Sequence, residues 1–416
     1  MAQSIRPLGD YLDLLEQRGL LVSRPAGLDL TAPVALVSYD SRQVVPGTLF
    51  VCKGAHFKAE FLQMARDKGA MAYVSLEPYP QVDLPCIQVT DMRETIAPLA
   101  DLYYGHPSGD LNVIGITGTK GKSSTAYYLK YILDEYLAGE GRPASGVISS
   151  IDTYDGTEQF ESHLTTPEPL ELQRHFANAR DNGLGYVTME VSSQALKYHR
   201  TLCTRFAAAC FLNIGYDHVS PVEHPDCEDY FASKLKIFAQ AGLNCVNLDS
   251  DHIGEILKAA AKCERVVTFG SKENAVIRVS DIKPGRGKFY FHVAGPDFSE
   301  DFTLPVHGAF NVENAVAAIA AAWSMGIPVS LIKESLLGVT VPGRMETYES
   351  SAGEVTAIVD FAHNGLSFEK MFDTVALEYP GSRVSVVFGT PGGKAFNRRK
   401  DMGEISGKRA DRIFLV

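Results

Sequence analysis

The sequence predicts an α/β protein of three domains, centred on a doubly wound, mostly parallel sheet that carries a phosphate loop. Three observations predict it. At 416 residues the chain exceeds one compact core. From Asn112 onward, apolar runs (NVIGIT, VISSID, YVTMEVS, AAACFLNI, NCVNLD) alternate with helical stretches, the pattern of a parallel sheet covered on both faces. Between the first of these runs and the helix that follows lies the glycine-rich segment GTKGKSS.

Residues 1–108 mix short apolar runs (VALVSYD, TLFVCKG, MAYVSL, CIQVTD) with helical segments and read as a small α/β domain, with GHPSGD (Gly105 to Asp110) as its exit linker. Residues 109–343 form the central domain, which ends near VPGRME. Residues 344–416 offer VTAIVDFA, RVSVVFGT and RIFLV around two helices, the opening of a Rossmann-like domain. The last apolar strand has no covering helix after it, and we expect this third domain to be truncated.

Composition narrows the function. Apolar residues at 45% and charged residues at 21% describe a globular chain rather than a disordered or fibrous one. A net charge of −11 argues against a broad nucleic-acid surface, which needs clustered Lys and Arg. No run approaches the roughly 18 apolar residues of a membrane span, and MAQSIRPLGD lacks an apolar signal core, so no membrane partner and a cytoplasmic location are expected. Seven scattered cysteines without CxxC spacing read as free thiols.

The loop points to the chemistry. Gly115, Gly118 and Gly121 let the backbone approach an anion, and successive N–H groups from Gly118 through Thr119, Lys120 and Gly121 to Ser124 meet phosphate oxygens at a helix start. Lys122 would reach the β and γ phosphates of ATP and the Ser123 hydroxyl would ligate Mg²⁺. The spacing departs from GxxxxGK[ST], because Ile116 occupies the first glycine position; a glycine-rich turn that merely packs a helix on a sheet is the plain alternative. Glu190, ending the apolar strand YVTMEVS, is a candidate Mg²⁺ ligand, since parallel sheets bind ligands at their carboxyl ends.

GITGTKGKSST resembles the GxTGTxGKTTT loop of the Mur ligases and folylpolyglutamate synthetases. LTTPEPLEL, MEVSSQAL…HR, NIGYDHV, EDYFASKLKIF, GAFNVENAVAA, PGRME and VDFAHN follow in the family's order. YDSRQVVPGTLFVCKG, VSSQA and EHPDCEDYF resemble the MurE branch. The resemblance implies an ATP-dependent, Mg²⁺-dependent ligase that phosphorylates a carboxylate of UDP-MurNAc-L-Ala-D-Glu and couples it to an amino acid. Its partners are small molecules and a monomer is expected. Phe361 and Gly365, where DYAHxP is familiar, favour lysine over diaminopimelate addition.

The same resemblance implies roles. His218 would help to hold a second metal, with Asn213 and Asp217 shaping its loop; an isolated histidine is otherwise more often a satisfied core residue. Lys234 resembles the carbamylated lysine whose anionic end ligates Mg²⁺, whereas an ordinary surface lysine is the reading of Lys236. Ser41 and Arg42 would face the UDP moiety, although DSR is as readily a polar turn. Thr165, Thr166, Ser192 and Arg200 resemble muropeptide contacts, and Arg200 can grip an anion with two parallel hydrogen bonds. Asn311 would read adenine, or simply cap its helix. Arg344 would reach the nucleotide from the domain hinge, and Asp360 the ribose, with His363 and Asn364 nearby. Lys394, Arg398, Arg399 and Lys400 are surface charges or approach the substrates on closure. Two other readings stay open, a folylpolyglutamate synthetase-like ligase, which would lack the first domain, and a nucleotide- and UDP-binding fragment without turnover; with its third domain unfinished, the 416-residue chain is expected to bind both nucleotides but turn over poorly.

Overall fold

The computed structural model describes residues 5–54, 57–215, 220, 223–285, 287–390 and 396–416, with 396 and 397 as backbone only. The first sheet has five strands in the spatial order Leu21–Ser23, Cys86–Val89, Ala70–Ser75, Thr48–Val51, Leu36–Ser38, parallel except at the first pair. Its strands are short and apolar, and Leu49, Phe50 and Val51 are fully buried, as sheets covered on both faces require.

The central sheet has eleven strands. In spatial order they are Ser299–Leu304, Lys288–Ala294, Ile277–Gly285, Arg265–Gly270, Leu243–Asn247, Phe206–Phe211, Asn112–Thr117, Tyr186–Glu190, Gly146–Ile148, Asp152–Tyr154 and Gln159–Glu161. The seven strands from Ile277–Gly285 to Gly146–Ile148 run parallel, and antiparallel pairs extend both edges. Asn112–Thr117 lies in the middle, and the chain leaves it to opposite sides: Gly146–Ile148 is two places away, Phe206–Phe211 adjacent on the other flank. That reversal opens a crevice at the carboxyl ends of Asn112–Thr117, Tyr186–Glu190 and Phe206–Phe211.

Helices Lys122–Gly139 and Phe310–Ser324 cover one face. The second reads FNVENAVAAIAAAWS, and its alanines allow close approach while Val312, Val316 and Ile319 are fully buried. In the last segment Thr356–Val359 pairs antiparallel with Glu346–Glu349, separately from the parallel pair Ser385–Phe388 and Arg412–Leu415. Helices Gly365–Glu378 and Phe396–Arg409 flank that pair over a small core of Phe368, Phe372, Val386 and Met402.

Asp155, Glu158 and His175 are the one trio among the described residues spaced to hold a metal. The donors around Asp155 argue for a structural role. Its Oδ1 accepts the Thr157 and Glu158 amides (2.9 and 2.7 Å), and its Oδ2 accepts Asn178 Nδ2 at 2.9 Å and faces His175 Nδ1 at 2.7 Å. Burial alone would raise this carboxyl, but these hydrogen bonds outweigh it and hold it at about 2, below its ordinary 3.8. A depressed carboxyl contributes stability above its unfolded value and loses it as pH falls through the folded one. Asp155→Asn should therefore cost about 2 kcal/mol at neutral pH in urea denaturation. The difference from wild type should shrink as the pH falls from about 4 toward 2; equal stability at pH 7 would contradict the assignment.

Candidate active site

The loop after Asn112–Thr117 is held by neighbours rather than by its own turns. Thr119 N–H donates to the Asn213 carbonyl (3.0 Å), Lys120 N–H to Asn213 Oδ1 (2.9 Å), and Asn213 Nδ2 returns to the Lys120 carbonyl (3.2 Å). Thr119 Oγ1 accepts Gly215 N–H at 2.9 Å and lies 3.1 Å from the Tyr230 hydroxyl. Gly121 enters the helix with φ +88°, and a Cβ there would stand 2.0 Å from Asn314 Oδ1. At Gly118 a Cβ would lie 2.9 Å from Leu212 Cβ. Only glycine fits these positions as built.

Two lysines converge on this loop. Lys122 Nζ donates to the Gly118 carbonyl (3.0 Å), and Lys234 Nζ donates to the same carbonyl at 2.9 Å from the helix Cys227–Leu235. Lys234 is 1% exposed and its Nζ lies 4.8 Å from the Tyr230 ring centre, whereas Lys236 is exposed. Helical spacing turns the two lysines to different sides.

A chain of polar contacts links the loop to Glu190. Glu190 Oε1 accepts the Ser150 amide (2.8 Å) and hydroxyl (3.0 Å); Ser150 Oγ is 3.1 Å from Ser123 Oγ; and Arg344 Nη2 donates to Ser123 Oγ at 3.0 Å. Burial pushes the Arg344 guanidinium below its ordinary value, opposed by the Glu190 and Asp360 carboxylates. Asp360 is pushed up by burial, against the amides of Met345 and Ala362, which donate to it at 2.8 and 2.7 Å, and the nearby Arg344 and Lys120. Glu190 and the Ser123 and Ser150 hydroxyls are hard oxygen donors of the kind Mg²⁺ takes.

The second cluster lies beside the first. Thr166 Oγ1 donates to the Glu190 carbonyl (2.9 Å) and accepts the Ser192 amide (3.0 Å), while Ser192 Oγ caps its short helix through Ala195 N–H (3.1 Å). Arg200 Nη1 donates to the Thr166 carbonyl at 3.2 Å, and Thr165 is half-buried alongside. Ser41 and Arg42 belong to the first sheet's surroundings: the Ser41 hydroxyl faces Met64 Sδ at 3.4 Å, and the exposed Arg42 forks onto Asp40 at 2.9 and 2.8 Å.

One expectation is corrected: Asn311 is not a helix cap. Ala309 holds that position, and Asn311 Nδ2 donates back to the His307 carbonyl (2.8 Å) while Oδ1 accepts Asn314 Nδ2 (3.0 Å). Asn364 does cap its helix, accepting Ser367 N–H at 3.0 Å. His218, Asp217 and Lys394 lie outside the described residues. Sequence reasoning missed Ser150, Tyr230 and Asn314. The only signal for Ser150 was its place at the end of an apolar strand, and Asn314 follows Asn311 by one helical turn.

Residues 116–322 match the Mur ligase middle domain and residues 343–416 the Mur ligase glutamate ligase domain. The UDP-N-acetylmuramoyl-L-alanyl-D-glutamate–L-lysine ligase of Enterococcus faecalis is 37% identical over 97% of this chain and 82% of its own length. The enzyme of the same name from Streptococcus agalactiae is 38% identical over 89% and 73%. Among solved structures, a UDP-N-acetylmuramoyl-L-alanyl-D-glutamate–2,6-diaminopimelate ligase superposes with a TM-score of 0.75 at 20% identity, over 99% of this chain and 82% of that one. The folylpolyglutamate synthase of Mycobacterium tuberculosis reaches 0.61 at 17% identity, over 78% and 85%.

Gly121→Ala should weaken nucleoside triphosphate binding about tenfold or more, since a left-handed alanine alone costs roughly 1–2 kcal/mol before the Asn314 clash is relieved. Calorimetric titration with Mg-ATP checks this; unchanged affinity would show that the loop does not carry the nucleotide.

Proposed function

This chain belongs to the Mur ligase family, and from that premise we propose that it is the ATP-dependent ligase adding L-lysine to UDP-MurNAc-L-Ala-D-Glu in peptidoglycan precursor synthesis. The observation that carries the proposal is the convergence of Lys122, Lys234, Arg344 and, through Ser123 and Ser150, Glu190 on one glycine loop. The lysine-adding relatives supply the amino acid.

A free carboxylate does not acylate an amine, because oxide would have to leave. Transfer of the γ-phosphoryl group from ATP makes an acyl phosphate, and the amine then displaces phosphate. Negative charge gathers in both steps, so catalysis rests on preorganised cations and donors. The loop from Gly118 to Ser124 receives the phosphates through its helix-start amides at Gly121, Ser123 and Ser124, while the Thr119 and Lys120 amides donate to Asn213 and fix the loop's shape. Lys122 and Arg344 face the transferring group, Asn311 lies on the adenine side, and Asp360 accepts from the ribose hydroxyls. Ser123 and Glu190 would hold Mg²⁺, which neutralises phosphate charge when bound, and His218 would join them. Carbamylation would turn Lys234 from a cation that opposes a metal into an anion that ligates it. Thr165, Thr166, Ser192 and Arg200 take the muropeptide, and Ser41 and Arg42 the UDP end. Division at 108/109 and 343/344, a cytoplasmic location and a monomeric state complete the reading. Among the described residues no helix is long and apolar enough to cross a membrane.

With Mg-ATP and UDP-MurNAc-L-Ala-D-Glu, L-lysine should stimulate ADP release well above meso-diaminopimelate, with the tripeptide product seen by mass spectrometry. Glu190→Ala should lower kcat by about a hundredfold or more. The proposal falls if the protein neither binds the UDP-dipeptide nor releases ADP on its addition.

A further inference from the structure

A single carboxylate, Glu168, holds two cations from different parts of the molecule. Its Oε1 lies 2.7 Å from Arg200 Nη2, and its Oε2 lies 2.6 Å from Lys53 Nζ. Lys53 follows the strand Thr48–Val51 of the first sheet, with its Nζ 4.2 Å from the Tyr39 ring centre; Arg200 comes from the central body, beside Thr166 and Ser192. Arg200 Nε is buried and makes no hydrogen bond among the described residues. The three side chains are 27%, 25% and 14% exposed for Lys53, Glu168 and Arg200, which puts the carboxylate within reach of water.

Resting on the function proposed above, we infer that Glu168 is an internal stand-in for an anionic group of the acceptor, and that Lys53 is a further acceptor-binding residue. Left without an anion, a partly buried lysine and arginine would lie close together and repel; Glu168 removes that cost in the ligand-free protein. An acceptor oxygen pair, from a peptide carboxylate or from the sugar diphosphate, offers the same two bonds. Glu168 can then turn outward, because its side chain is already a quarter exposed and loses little on full hydration. The backbone cannot follow it: Glu168 sits at φ −68°, ψ 159°, ahead of Pro169, which begins the helix Pro169–Asp181. The exchange is thus confined to one side chain. It would link the first sheet to the central one through the substrate, and an uncharged analogue could not drive it.

Removing a competing anion should tighten acceptor binding; removing a mere clamp should not. Calorimetry with UDP-MurNAc-L-Ala-D-Glu should show Glu168→Gln binding about threefold to tenfold tighter than wild type, from two partly exposed ion pairs. Lys53→Met should bind about tenfold more weakly. Glu168→Asp should stay near wild type, and ATP affinity should not move in any of the three. Repeating the titrations with UDP separates the sources: a gain retained with UDP assigns the diphosphate, and a gain confined to the dipeptide ligand assigns a carboxylate. Thermal denaturation confirms that each variant is folded. Wild-type binding with equal or weaker binding by folded Glu168→Gln would overturn the inference, whereas failure of wild type to bind would overturn the function beneath it.

Discussion

The conformation of residues 118–121 is the constraint on which the rest depends. The loop does not satisfy its polar groups in its own turns, and other parts of the chain hold its shape: the Thr119 and Lys120 amides both donate to Asn213. Asn213 does this from the neighbouring strand end, Tyr230 and Lys234 from the helix Cys227–Leu235, and Asn314 from the helix Phe310–Ser324. Each brace comes from a segment distant in sequence. The loop is therefore a product of the completed central sheet, and the buried alanine-rich helix serves it by setting how near Asn314 stands to Gly121.

Glu190, Ser150, Ser123 and Arg344 extend that logic to the last part of the chain. Arg344 is a partly buried cation whose nearest acceptors are the Ser123 hydroxyl, at 3.0 Å, and its neighbour's carbonyl, at 3.2 Å; Glu190 and Asp360 act on it at longer range. The Arg344 side chain also lies over the Phe361 ring, 4.5 Å from its centre. Farther along, Glu378 reaches His307 Nδ1 and accepts Gly308 N–H at 3.1 Å, a second polar tie between the final segment and the central body. Among the described residues, a few polar groups thus tie the final segment to the central body.

The first sheet's domain is joined to the centre by Leu170, which packs into its apolar core, and by several polar ties. Tyr39 donates to Glu171, Lys53 pairs with Glu168, Arg93 stacks over Tyr198 at 3.9 Å and Arg180 donates to the Tyr104 carbonyl at 3.1 Å. Glu168 and Glu171 both stand at the start of the helix Pro169–Asp181, where the macrodipole favours negative charge. The acidic helix start thus meets a first body that offers Lys53 and the Tyr39 hydroxyl.

Much of this was legible in the sequence by itself. The alternation of apolar strands and helices determined the parallel core, because strand and helix periodicities are local properties, and the GTKGKSS segment determined the glycine loop and the placement of Lys122 and Ser123 at a helix start, because glycine freedom and helix starts are local too. The strand end singled out Glu190, and family motifs Lys234 and Arg344, without saying what they touch. Tertiary structure alone decided that Lys234 Nζ donates to the Gly118 carbonyl, that Asn311 binds back to a carbonyl instead of capping, that Thr356–Val359 pairs with Glu346–Glu349, and that Glu168 stands between Lys53 and Arg200. The physical reason is common to all four: contacts between residues far apart in sequence depend on how sheets and helices pack, and no local spacing encodes that distance.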